Sequence, residues 1–194
     1  MSSVIAVTIN LEPLFALTDD AFYTLCRANP EVKFERTSVG ELIVMPPTGG
    51  ETGNRNIKLS ARLENWAEQD GTGLAFDSST MFQLPNGAYR SPDAAWILLE
   101  RWEVLASEER QAFPPICPDF VVELRSSSDS LKAAQNKMQE YIDNGARLGW
   151  LINPKNYQVE IYRQSQEKEI LQAPTYLSGE QILPAFVLKL RWIL

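Results

Sequence analysis

The architecture of this chain turns on Phe120-Val121-Val122-Glu123-Leu124, which follows Pro118-Asp119 and precedes Arg125. So short and apolar a run suits a strand covered on both faces, at the centre of a mixed α/β sheet. Glu123 interrupts it, and a carboxylate there is costly to desolvate unless something pairs with it. Spacing alone leaves two bland placements open: the exposed face of an edge strand, or a pair with Arg125. Downstream, residues 129–144 give the clearest helix, with apolar residues at 131, 134, 138, 141 and 142 and Gly145 as its C-cap. Trp150-Leu151-Ile152 then reads as another buried strand. Upstream, Ser91-Pro92-Asp93 opens the buried run Ala94-Ala95-Trp96-Ile97-Leu98-Leu99.

Further out the pattern is less compact. Thr18-Asp19-Asp20 starts a helix over Ala21, Phe22, Leu25 and Cys26, and Asn29-Pro30 stops it. Residues 32–36 and 41–45 bracket Ser38-Val39-Gly40 as a β-hairpin. A turn-rich loop at 46–50 leads into an amphipathic helix from Asn54 to Gln69. Short strands follow at 73–76 and 80–84, before the Pro85-Asn86-Gly87 turn, and Tyr157 to Tyr162 forms one more. Residues 1–17 read as extended or loosely packed. The order predicts an α/β fold, a mixed β-sheet flanked by helices on both faces, with an N-terminal helix and β-hairpin. One domain over 1–194 is expected, with its core at about 32–163, an N-terminal helix segment at 1–31 and a C-terminal extension at 164–194.

Composition removes whole classes of chemistry. The 194 residues hold 18 Lys+Arg against 25 Asp+Glu, a net charge of −7, and no histidine. Ser-His-Asp and Cys-His catalysis, HExxH zinc proteases, histidine-ligated haem and histidine pH switches are excluded. The sequence pI near 4.8 argues against a generally basic nucleic-acid-binding surface. Cys26 and Cys117 form no CxxC pair, so both are expected reduced. The N-terminal stretch makes a poor signal peptide, and no apolar run approaches the ~20 residues that span a bilayer. A cytoplasmic protein with no membrane association is the expectation.

The chemistry-bearing residues fall on the predicted core elements. Asp93 opens one buried strand and Glu123 sits in another, 30 positions on (123 minus 93). Lys137 lies at the margin of the apolar face of helix 129–144, one turn before Tyr141. The plain alternatives are a turn aspartate and a lysine whose stem covers apolar surface. Together, two carboxylates and a lysine without histidine suit a divalent-metal phosphodiesterase. Asp93 and Glu123 would hold Mg²⁺, a hard ion that prefers oxygen, and Lys137 would orient water or stabilise phosphate charge.

From about Leu17 to Tyr162 the chain resembles the Uma-type family of bacterial restriction endonucleases, in the PD-(D/E)xK nuclease superfamily. The landmarks are Gly40-Glu41-Leu42-Ile43-Val44-Met45-Pro46-Pro47-Thr48, Ser91-Pro92-Asp93 and Pro118-Asp119-Phe120-Val121-Val122-Glu123. Lys137-Met138-Gln139-Glu140-Tyr141, Gly145 and Trp150-Leu151-Ile152-Asn153-Pro154 complete the set. The resemblance implies a restriction-endonuclease-like core, Asp93 as the motif aspartate and Glu123 as the second acid. The lysine usual two residues after that acid is replaced by Arg125, which stays protonated and suits phosphate binding. The lysine role then passes to Lys137. Where the family often has histidine after the proline-rich loop, this chain offers Glu51, either a further metal ligand or a solvated acid favoured by the helix dipole. Asn153 stands where an aspartate is usual. Arg125, Glu51 and Tyr141 are supporting candidates.

These readings imply a Mg²⁺-dependent (or Mn²⁺-dependent) DNA endonuclease. A cutter of both strands is expected as a homodimer. Two other readings stand beside it. One is a catalytically inactive nuclease fold serving as a nucleic-acid-binding or protein-binding module. The other is a scaffold acting through an aromatic surface of Trp66, Trp102 and Trp192.

Overall fold

Strand alternation decides which layer each side chain joins in this protein, whose computed structural model describes residues 6–12, 14–126 and 130–194. The chain opens with β1 (Val7–Ile9), α1 (Asp19–Ala28), β2 (Lys33–Arg36), β3 (Leu42–Met45) and α2 (Gly50–Asp70). Next come β4 (Gly73–Asp77), β5 (Phe82–Gln83), β6 (Tyr89–Arg90), β7 (Ala94–Leu98), α3 (Leu99–Glu103) and α4 (Ser107–Gln111). The centre is β8 (Phe120–Leu124), α5 (Leu131–Asp143) and β9 (Leu148–Asn153). It is followed by β10 (Gln158–Arg163), β11 (Glu169–Gln172), β12 (Tyr176–Ser178) and β13 (Val187–Lys189).

The main sheet runs β11-β10-β9-β8-β7-β4. β8 and β9 pair in parallel, joined through α5, and every other neighbouring pair is antiparallel. Its even-numbered residues Ala94, Trp96, Phe120, Val122 and Trp150 pack under α2 with Leu59, Leu63 and Ala67. The odd-numbered Ala95, Ile97, Val121 and Leu151 pack on the opposite face against Met138, Tyr141 and Ile142 of α5. Gly149 belongs to that second face: a Cβ there would stand 2.4 Å from Met138 Cε, so the missing side chain lets α5 approach. The expected α/β sheet with helices on both faces is therefore present.

A second, wholly antiparallel sheet, β1-β3-β2-β6-β5, carries the hairpin. It packs through Phe34, Leu42 and Tyr89 against Leu17 and Phe22, the buried residue of α1. Thr18 caps α1 by accepting from the Ala21 N–H at 3.3 Å, as the polar run before that helix predicts.

Several boundaries differ from the sequence expectation. α2 begins at Gly50 rather than Asn54, because Gly49 is extended (φ −68°, ψ 156°) and serves as the N-cap. The strand expected over 80–84 shrinks to Phe82–Gln83, since Leu84 already closes the turn, donating its N–H to Ala88 O at 2.8 Å and accepting from the Gly87 N–H at 2.8 Å. The run 94–99 ends one residue early, where Leu99 starts the unanticipated α3. Ser130 caps α5 through the Ala133 N–H, and position 129, the expected start of that helix, lies outside the described residues. Leu177, Leu183, Phe186, Leu188 and Ile193, from the segment expected as an extension, share the α2-side core with the main sheet.

Of the three tryptophans read as a surface, Trp192 is exposed at 64%. Trp66 instead packs on Trp96 (5.8 Å) and Phe186 (5.4 Å), and Trp102 on Phe76 (5.0 Å).

Candidate active site

Antiparallel register brings two acids together. The pairs Ala94↔Val122, Ala95↔Val121 and Trp96↔Phe120 continue by one step to set Asp93 across from Glu123. Asp93 is fixed from both sides: the Leu124 N–H donates to Oδ2 at 2.7 Å, and Asn56 of α2 donates to Oδ1 at 2.9 Å. The other Pro-Asp pair ends at the far side of these strands. There Asp119 is 2% exposed, accepts from the Leu98 N–H at 3.0 Å and pairs with Arg101 at 2.8 Å, which ties down the sheet away from the site.

Glu123 does not occupy an edge strand, because β8 lies between β7 and β9. Its odd number points it to the α5 face, where Oε1 accepts from Lys137 Nζ at 2.8 Å and from the Tyr141 hydroxyl at 3.1 Å. Both residues come from successive turns of α5, so one helix face delivers the cation and the phenol to the acid. Arg125 lines the cleft beside these groups and donates to Asn153 Oδ1 at 3.2 Å. Glu51 is not among the residues lining the cleft around these groups. Its side chain is 89% exposed in the first turn of α2, 3.4 Å from Arg55.

A third acid, which sequence reasoning missed, completes the cluster. Glu35 of β2 is 2% exposed and accepts from Lys137 Nζ at 2.7 Å, from the Ser91 N–H at 3.0 Å and from Arg90 at 3.1 Å. Arg90 continues to Glu140 of α5 at 2.6 Å, so the hairpin sheet is clamped to α5 across the site. The available signal was a charge inside the hairpin strand, in Lys33-Phe34-Glu35-Arg36.

Electrostatics separates the acids. Burial would raise the Glu35 carboxyl, but the ammonium of Lys137 and the guanidinium of Arg90 overcome it and hold the group at about 2. Burial raises Glu123 to about 7, with Asp93 and Glu35 adding to the rise and Lys137 opposing it. Asp93 is also raised by burial, against the Leu124 N–H and the positive charges of Lys137 and Lys33. Burial disfavours the charge on Lys137, yet Glu123 and Glu35 outweigh it and hold the amine protonated well beyond its ordinary range.

Asp93, Glu123 and Lys137 line a cleft of about 390 Å³, walled by the loop 46–49, Lys33 and Thr52. Among the described residues, no three of His, Cys, Asp and Glu converge as a ready metal cage. Mg²⁺ needs none: it keeps several waters and commonly takes one or two carboxylates. The oxygen donors of Asp93 and Glu123, opposed across two strands and both raised in pKa, fit such an ion, which would relieve their mutual repulsion.

The main sheet is mixed and covered by helices on both faces. The chain belongs to the Uma2 family, described as "Putative restriction endonuclease", whose sequence pattern matches residues 19–191. In three dimensions it is similar to the crystal structure of "a putative nuclease belonging to DUF820" from Anabaena variabilis ATCC 29413. That similarity has a TM-score of 0.72 at 20% identity, covering 84% of this chain and 93% of the other. No curated protein matches the chain. No helix among the described residues is long and apolar enough to cross a membrane.

Proposed function

We propose that this protein is a Mg²⁺-dependent DNA endonuclease that hydrolyses phosphodiester bonds at the cleft between β7, β8 and α5. The observation that carries the reading is Lys137, set 2.8 Å from Glu123 beside the Asp93–Glu123 pair. Asp93 and Glu123 would hold the ion, with Mn²⁺ as a substitute. Bound there, it would supply Lewis-acid activation of water and neutralise phosphate charge. Lys137 remains protonated between two acids, so its part is a fixed positive charge that orients the scissile phosphate, rather than a base. Glu35 positions that charge. Tyr141 donates to Glu123 and fixes the direction of its carboxylate. Arg125, at the cleft margin, suits a flanking phosphate.

The test is cleavage of DNA by the native protein and by Asp93→Ala and Lys137→Ala in Mg²⁺ and in Mn²⁺. Metal-dependent cutting lost in both variants supports the reading, and a native protein that takes up neither ion in calorimetry overturns it. Cutting both strands of a duplex calls for two sites, so a homodimer is expected in gel filtration. The closed ion pairs of Lys137 in a chain of net charge −7 favour one second reading, an inactive nuclease fold that binds nucleic acid or protein. It requires that Asp93→Ala leave cellular function intact.

A further inference from the structure

Next to the candidate site lies a second cleft, of about 490 Å³, and the two share Lys33 and Ser91 as a common wall. We propose that this neighbouring cleft is a nucleoside pocket, which takes an unpaired base of the nucleotide next to the scissile phosphate oriented by Lys137 in the candidate site. The proposal rests on the nuclease reading and adds where the substrate's base goes.

Three observations carry it. The first is the lining. Phe34 and Met81 are buried at 7% and 9% exposure and form an apolar floor, beside Phe113. Tyr23, 37% exposed, lines the same cleft, its ring 5.3 Å from Phe113 at 72°. A flat aromatic heterocycle suits such a lining, because every base offers a π-face that can stack on an aromatic residue.

The second is charge. Tyr23, Cys26 and Arg27 face the cleft together at helical spacing on α1, and Arg27 lies 5.9 Å from the Tyr23 ring. With Lys33 this gives two cations against one acid, Glu31, in a protein whose net charge is −7. An anionic ligand with an aromatic part matches that lining better than a neutral or cationic one.

The third is continuity. Lys33 is held by Ser78 O at 2.8 Å and forms part of both clefts. A phosphate at the acids and a base against Tyr23 would lie on either side of it. The volume falls within the ~300–1,000 Å³ usual for small-ligand sites. A base seated there is out of the duplex stack, so a duplex must be locally melted at that position, whereas a single strand binds without that cost.

The test uses the intact protein in EDTA, which prevents cleavage. Its probes are a labelled short oligothymidylate and an abasic deoxyribose-phosphate chain of the same length. Native protein is expected to bind the oligothymidylate about ten-fold more tightly than the abasic chain, equal to about 1.4 kcal/mol. Tyr23→Ala, and Ala112→Trp at the exposed rim, should bring the oligothymidylate down to the abasic level and leave abasic binding unchanged. Both positions are on the surface, and circular dichroism checks folding. Equal affinity of native protein for the two probes, or unchanged base preference in both variants, overturns the pocket. Mg²⁺ calorimetry on the native protein separates the two readings. No metal uptake alongside intact base preference removes the nuclease reading and leaves the pocket standing.

Discussion

The backbone N–H of Leu124 donates to Asp93 Oδ2 at 2.7 Å, so the strand that carries Glu123 also holds the acid opposite it. The two carboxylates are spaced by sheet register and a main-chain hydrogen bond, which are stiffer than side-chain torsions. Asp93→Asn keeps an acceptor for that N–H and removes a charge that burial disfavours. Its melting temperature is therefore expected to equal or exceed that of the native protein, while Mg²⁺ uptake in calorimetry is lost. Native-like metal binding by Asp93→Asn would sink the metal assignment.

Glu35 should make the fold pH-sensitive on the acid side. Its carboxyl is lowered from the usual 4.5 to about 2, so its stabilisation is fully present above pH 4.5 and is lost as pH falls through 2. Glu35→Gln is expected to lose about 3 kcal/mol at neutral pH, as for removing one member of a buried ion pair. Denaturant melts at pH 7 and pH 3 should show the gap between variant and native protein narrowing in acid.

Glu123 works in the opposite sense. Its carboxyl is raised from 4.5 to about 7, so its contribution to metal-free stability is present below pH 4.5 and is lost as pH rises through 7. Metal requires the deprotonated form. Mg²⁺ should therefore raise the melting temperature more at pH 8 than at pH 5.5, with its affinity falling about ten-fold per unit below pH 7. An equal shift at both pH values contradicts this.

Lys137→Ala should separate metal binding from turnover. Removing the ammonium leaves Glu35 and Glu123 without their shared cation and lowers metal-free stability. It also removes a competitor for Glu123, so Mg²⁺ affinity is expected to hold or rise while cleavage drops about 100-fold. Loss of both in parallel would mean that Lys137 only supports the fold.

Two glycines test the packing. A Cβ on Gly73 would stand 2.3 Å from Ile97 O and 2.4 Å from the Trp96 ring, whereas one on Gly149 would meet the flexible end of Met138. Gly73→Ala is expected to be the more destabilising by thermal melt, because a backbone oxygen and a buried indole cannot step aside.

The central β8, α5 and β9 were legible because their apolar residues repeat at the periods of strand and helix. Asp93, Glu123 and Lys137 could be picked out because each breaks or borders such a pattern. Glu35 could not. It alternates with Phe34 as a solvated hairpin residue would, and its burial comes from Lys137, which lies 102 positions away in the chain. Leu183, Phe186 and Ile193 escaped for another reason: they enter the core from turns and irregular segments flanking the short β12 and β13, without a repeat long enough to read.

The clamp from Glu35 through Lys137 to Glu123 also has a bearing on time. Its three members leave the ribosome far apart, and the last to appear sits on the helix that crosses from β8 to β9. A nascent chain ending before β9 lacks Gly149 and Leu151, part of the surface on which that helix packs, so the charged cluster is held less firmly than in the finished protein. Whatever this cleft does to nucleic acid, it can do only after most of the protein has been made.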